Sequence, residues 1–284
     1  MYDDENGLQT QAQTHPLTMS ISTAISWCDA TFNPWWGCRR CSPGCKNCFA
    51  DRLAIKLGHN VWGNAPRRTF GPKHWEEPLA WNARAARADL APGVLGAGMP
   101  RLVFCGSMCD VFEDHPTVAA EREKLWPLIR ATPNLIWQLL TKRAKRIAEC
   151  LPSDWGDGYP NVWLGTSIEN NDYVSRARFL IDVPAVVYFV SYEPALGPLD
   201  ELNLSGIDWI IFGGESGPNF RPIRLAWAQD IRDRCRAAGV PFFFKQSSSI
   251  RTEMGIILDG DLIREFPMSK IKPLAVPEPE RMLI

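Results

Sequence analysis

Short runs of apolar, β-branched and aromatic residues recur through the middle of the chain, each bounded by polar or turn-forming positions. Six of them, residues 102–105, 135–140, 162–164, 186–190, 209–212 and 240–244, are apolar at consecutive positions rather than alternating ones. That is the pattern of strands covered on both faces. Between most of them lie stretches with a helical repeat and a charged face, over 118–130, 142–150, 173–181 and 227–238, the last followed by Gly239 in position to cap it. The connection from 190 to 209 carries less helical signal, being interrupted by Pro194, Gly197 and Pro198. Successive runs are roughly 20 to 35 residues apart, the length of one βα unit. With one more strand expected over 21–27, the fold class is α/β, a full or partial (β/α) barrel of parallel strands, with an open doubly wound sheet as the alternative.

The same pattern bounds the domain. Residues 1–20 are polar without periodicity and read as a disordered tail. A single domain is expected over 21–266, with 91–100 as an internal glycine-rich loop. Pro273, Pro277 and Pro279 make 267–284 an irregular strap.

Each predicted strand ends in small polar or charged residues. These are Gly106, Ser107 and Asp110, then Thr141 and Lys142, then Ser167, Glu169 and Asn170. Ser191 and Glu193 follow the fourth run, Gly213, Gly214, Glu215 and Ser216 the fifth, and Lys245 and Gln246 the last. One such end is only a turn or a helix cap, but six together point to a shared polar site at the carboxyl ends of the strands. In that site Glu215, after two glycines, is a candidate to accept a hydrogen bond from an ammonium, or else a solvated turn residue. Glu169 and Glu193 end neighbouring strands and are expected to face one another across a polar pocket. Lys245, at the end of an all-aromatic run, is expected to pair with one of them. Asp110 reads as a cap for its loop.

Charge and composition add mostly exclusions. The formal net charge of −1 gives no global reason to expect a nucleic-acid or membrane partner. The run from Lys142 to Arg146 reads as the solvated first turns of a helix rather than a phosphate patch, and Arg67-Arg68 is the other local basic pair. The start Met1-Tyr2-Asp3-Asp4-Glu5 has no secretory character, and no apolar run approaches the roughly 20 residues that span a bilayer. A cytoplasmic protein with no membrane association is expected.

The nine cysteines change the picture more. Cys38, Cys41, Cys45 and Cys48 fall within eleven residues, in a chain where a disulfide framework is not expected. As two C-x2-C pairs they could close a tetrahedral zinc site, although the three-residue gap is much shorter than in zinc ribbons. As Cys41-x3-Cys45-x2-Cys48 they can hold three irons of a [4Fe–4S] cluster and leave the fourth open to a small molecule. Pro43-Gly44 supplies the turn, and Arg39, Arg40 and Lys46 would offset the cluster's negative charge. Trp27, Trp35, Trp36 and Trp62 lie close in sequence and could exclude water. Cys105 and Cys109 read as small core residues.

The stretch from Trp27 to Leu53, with Asn33-Pro34-Trp35, Gly37-Cys38, Ser42-Pro43-Gly44-Cys45, Cys48 and Ala50, resembles the three-cysteine-motif phage proteins, a domain family of uncharacterised function. Gly106-Ser107-Met108, Ser191-Tyr192-Glu193-Pro194, Gly213-Gly214-Glu215-Ser216-Gly217 and Phe244-Lys245-Gln246 extend the resemblance to about residue 246. That family is in turn similar to radical S-adenosylmethionine (SAM) enzymes. The resemblance implies a partial (β/α) barrel, a [4Fe–4S] cluster, and reductive cleavage of SAM to a 5′-deoxyadenosyl radical that abstracts hydrogen from a substrate. The family spacing matches Cys38, Cys45 and Cys48, whereas the radical SAM spacing matches Cys41, Cys45 and Cys48. Two features depart from the radical SAM pattern: Asn47 stands where an aromatic usually precedes the last cysteine, and Gly213-Gly214-Glu215, which would hold the methionyl amine of SAM, follows a late strand. The substrate stays undefined, with a nucleotide or nucleic acid among the candidates. The competing reading is a zinc-stabilised binding module acting with a partner protein or nucleic acid.

Overall fold

The structure is a computed structural model that describes residues 23–87 and 91–274. The expected tail over 1–20 and the end of the strap, 275–284, lie outside the described residues. Among the described residues no helix is long and apolar enough to cross a membrane.

Seven parallel strands, hydrogen-bonded in sequence order, form a curled sheet that makes a half-barrel flanked by helices. They are β1 (Ala30–Phe32), β4 (Arg101–Cys105), β5 (Leu135–Thr141), β6 (Val162–Ser167), β7 (Val187–Tyr192), β8 (Trp209–Gly213) and β9 (Phe242–Gln246). A two-stranded antiparallel ribbon, β2 (Trp35–Trp36) and β3 (Arg68–Thr69), frames the cysteine segment. The helices are α1 (Phe49–Lys56), α2 (Pro72–Ala85), α3 (Ala119–Arg130), α4 (Ile147–Cys150), α5 (Ser175–Ile181) and α6 (Leu225–Ala238). Gly239 caps α6 with φ 69°, the left-handed conformation a glycine adopts without penalty.

Strand residues divide between the two faces of the sheet, as a period of two requires. Val103, Trp137, Leu164, Ile210 and Phe244 share a core with Trp126 and Ile129 of α3, Leu180 of α5 and Ile231 of α6. On the concave face a second core is made of Leu102, Phe104, Ile136, Trp163, Phe189, Trp209 and Phe243, with Trp27 inserted among them. Gly165 on β6 faces the Phe189 ring, and a Cβ there would lie 2.3 Å from its Cζ. The half-barrel is therefore filled largely with aromatic rings, with the buried Gln138 donating to the Trp27 carbonyl among them, and the charged residues gather at its carboxyl-end mouth.

Three expectations about elements are corrected. The first strand lies at Ala30–Phe32, not over 21–27; described residues 23–29 are turn and coil, and Trp27 fills the concave core instead of pairing. The helix expected over 142–150 is a 3-10 turn, Ala144–Arg146, leading into the four residues of α4. The strand expected over 240–244 starts two residues later, because Val240 donates its N–H to the Cys235 carbonyl at the end of α6.

Candidate active site

The loop after β2 carries all four clustered cysteines and folds over the carboxyl ends of the strands. Four polar attachments hold it there. Ser42 donates to Glu169 Oε1 at 2.5 Å, and Asn47 donates to Glu215 Oε2 at 2.9 Å. Arg221 donates to the Pro43 carbonyl at 3.0 Å, and Arg52 to the Ser216 carbonyl at 2.7 Å. Gly44 sits so close to Glu169 that a Cβ would fall 2.4 Å from Oε1, so this turn has to be glycine.

Cys38, Cys41, Cys45 and Cys48 line one cavity of 190 Å3 together with Cys109, Ser107, Asp110, Lys142, Arg143 and Ser167. A second cavity of 240 Å3 adjoins it, sharing Cys48, Phe104, Leu140, Lys142 and Ser167, and reaches Ser191, Glu193, Gly214, Glu215 and Lys245. The mouth thus brings together most of the residues that the strand ends suggested. Among the described residues no three His, Cys, Asp or Glu groups are gathered as the ligands of one metal ion.

The cysteines differ in electrostatic setting. A hydrogen bond from Cys41 lowers the Cys45 thiol to about 5, against the effect of burial, and raises Cys41 correspondingly. Burial pushes Cys38 up to about 12, although Arg143 Nη1 lies 3.6 Å from its sulfur. Cys48 is the N-cap residue of α1; burial raises its thiol against the backbone N–H groups of Asp51 and Ala50. Burial also raises Cys109, which the sequence placed in the core but which the structure puts in the cavity wall; Cys105 is fully buried as expected.

Several expectations about the polar residues change. Lys142 links Glu169 and Glu193, lying 3.2 Å from Glu169 Oε1 and 3.3 Å from the Glu193 backbone carbonyl. Burial would raise the Glu169 carboxyl, but Lys142 and Arg176, the latter at 2.7 Å, hold it below its ordinary value. Lys245 pairs with Glu193 at 2.9 Å as expected, and that partner keeps the buried ammonium above its ordinary value. Glu193 also accepts from Ser191 at 3.2 Å.

Glu215 is not open to a ligand ammonium. Asn47 and Arg221 occupy its carboxylate and, despite burial, hold it below its ordinary value. The two glycines before it make room for protein: a Cβ on Gly213 would lie 2.3 Å from Glu193 Oε1, and one on Gly214 2.4 Å from Ser248 Oγ. Ser107 bonds to Asn33 at 3.0 Å and lines the cavity.

The basic pairs are corrected as well. Lys142 and Arg143 point into the mouth rather than to solvent, Arg143 bonding to Asp110 at 2.7 Å. Asp110 caps its loop through the Phe112 N–H, as expected, but also accepts from Thr141 and Lys142 N–H. Arg67 is fully buried in a bidentate pair with Glu113, and Arg68 stacks on Trp36 and Phe70, which leaves neither as a free phosphate grip. Ser42, Asn47 and Arg221 were given no role in the sequence reading, and Lys142 was placed at a strand end without its partners. The first two stood in view between the cysteines, whereas Arg221 carried no signal at all.

A model described as "Protein of unknown function (DUF5131)" matches residues 22–267. The chain belongs to the DUF5131 family. No curated protein matches it, and no solved structure does. The match covers the cysteine loop and every strand of the half-barrel, so the family region and the structural unit coincide.

Proposed function

We propose that this DUF5131 protein is an iron–sulfur enzyme of radical SAM type, holding a [4Fe–4S] cluster on Cys41, Cys45 and Cys48. The observation that carries the reading is the convergence of four cysteines on one cavity at the carboxyl-end mouth of a parallel half-barrel. The donor set suits the cluster. Thiolates are its usual ligands, and Lys142, Arg143, Arg39 and Arg40 line the same cavity to offset its charge. The spacing shared with radical SAM enzymes favours Cys41 over Cys38 as the third ligand.

Such a cluster, with SAM, supplies one-electron reduction and hydrogen-atom abstraction. The chain's own contribution is binding and exclusion of water. Trp27, Phe104 and Leu140 form the apolar floor of the second cavity, and Glu193, Lys245 and Lys142 offer opposite charges at its wall. Glu215 is committed to Asn47 and Arg221, and Glu193 to Lys245 and Ser191, so a ligand at this wall meets a Glu193–Lys245 ion pair rather than a free carboxylate. The substrate is a small molecule that fits the mouth; the basic pairs that had suggested nucleic acid are engaged within the protein.

Anaerobic purification followed by iron, acid-labile sulfide and zinc analysis tests the reading. About four irons and four sulfides per chain are expected. Cys45→Ala and Cys41→Ala should lose them, while Cys38→Ala keeps them. One zinc and no sulfide would overturn the proposal and leave a zinc-stabilised module.

A further inference from the structure

The segment from Trp36 to Phe70 carries seven basic residues and a single acidic one, Asp51, in a chain whose total formal charge is −1. Arg39 and Arg40 line the first cavity and are exposed at its rim, and Lys46 and Lys56 lie at the surface. Asp51 is spent on Arg40 at 2.6 Å. Lys46 and Lys56 have no ion-pair partner among the described residues.

The same surface is apolar. Phe49 is 59% exposed, Ile55 67% and Leu57 51%, all on or just after α1. Phe49, Leu53 and Leu57 are spaced four apart, so they form one stripe along the helix, with Arg52 and Lys56 beside it. The buried side of α1, Ala50 and Ala54, packs on Val61 and Met108, and Leu53 at the inner edge of the stripe packs there too; Phe49, Ile55 and Leu57 are the apolar side chains left in solvent. An apolar centre with a cationic rim is the anatomy of a protein interface rather than of a phosphate grip. Aliphatic side chains such as Ile55 and Leu57 gain nothing from a sugar–phosphate backbone.

Its position narrows the partner further. Cys48 is the N-cap of α1, and Phe49 both lines the second cavity and stands in solvent. Anything docked on the stripe lies within a few residues of a cysteine sulfur. Resting on the iron–sulfur reading above, which requires one electron from outside, the geometry points to α1 as the docking surface for an acidic electron-carrier protein. The carrier's carboxylates meet the rim of Arg39, Arg40, Lys46 and Lys56, and its cofactor edge meets Phe49. One electron leaves the reduced carrier and enters the cluster, so the carrier is oxidised by one equivalent and no bond to the protein is formed.

The test compares two reductants on the cluster-loaded protein: dithionite, which needs no docking, and an acidic flavodoxin in its hydroquinone form. Cluster bleaching is followed in the wild type and in a Lys56→Glu/Leu57→Ser variant. Both positions are exposed and outside the ligand set, and Lys56→Glu alone carries the test should the double variant lose its iron. At low salt the flavodoxin-driven rate is expected to fall about tenfold or more in the variants, as it does when rim charges steer association. The wild-type rate should fall with added salt, and the dithionite rate should be the same in all proteins. Equal flavodoxin rates in a variant with full iron and sulfide would overturn the docking surface and leave the iron–sulfur reading standing. A chain that takes up no iron overturns both. A single-stranded oligonucleotide whose binding is lost in the variants, with the flavodoxin rate unchanged, would reassign the patch to nucleic acid.

Discussion

At the residue scale, Glu169 shows how a cysteine loop can be moored to a barrel. Its carboxylate is buried and receives Ser42, Lys142 and Arg176, so it joins the loop to two different strand ends. Removing one partner of such a group leaves buried charge uncompensated. Glu169→Gln is therefore expected to destabilise the protein by about 3 kcal/mol at neutral pH, read by urea denaturation. The pH dependence follows from the sign of the shift. A carboxyl held below its ordinary value of 4.5 contributes stability that is fully present above that value and is lost as the pH falls through the lower, folded value. Wild-type stability should accordingly drop on acidification below about pH 4.5, and the Gln variant should lose less over the same interval. An unchanged acid limb would remove Glu169 from this role. Residue-scale legibility was uneven: Glu169, Glu193 and Lys245 were visible as charged residues after apolar runs, but their partners were not, since each pairing joins residues far apart in sequence.

At the element scale, the strands were legible because burial on both faces leaves continuous apolar runs, and β4 to β8 lie within one to three residues of where those runs end. Elements α1 and α2, in the cysteine-bearing half, were not anticipated. α1 spans only eight residues, and α2 carries Pro78 within it. The C-cap of α6 was anticipated, and it makes a quantitative prediction. Gly239 adopts φ 69° with no atom near its would-be Cβ, so Gly239→Ala meets only backbone strain. A loss of about 1 kcal/mol in thermal unfolding is expected; a neutral substitution would mean the cap relaxes at no cost. The failure at 142–150 has an equally local cause. Lys142 and Arg143 follow a strand directly, and the nearby carboxylates of Glu169 and Asp110 draw them into the mouth in place of a solvated helical turn.

At the scale of the whole molecule, the cysteine loop and the half-barrel are one functional unit only because the loop is tied down at several points. Arg221 supplies one of those ties, to the Pro43 carbonyl, and also holds Glu215, which receives Asn47 of the loop. Arg221→Ala is expected to leave the helical and sheet content unchanged by circular dichroism while increasing amide exchange over residues 41–48 and reducing iron uptake. Exchange equal to the wild type would show that Ser42, Asn47 and Arg52 suffice.

The sequence by itself determined the strand and helix alternation, the parallel architecture, the clustering of thiols and the polar character of the strand ends, because each depends on local periodicity or short spacing. Tertiary structure alone decided which polar residues remain open. Curling the sheet brought residues 38–48 against 167–221, and the closest counter-charges then paired: Glu215 with Arg221, Glu169 with Lys142, Arg67 with Glu113. Such pairing follows from distance in a medium of low dielectric, where a buried charge must find a partner, and distance between remote residues is a property of the folded chain.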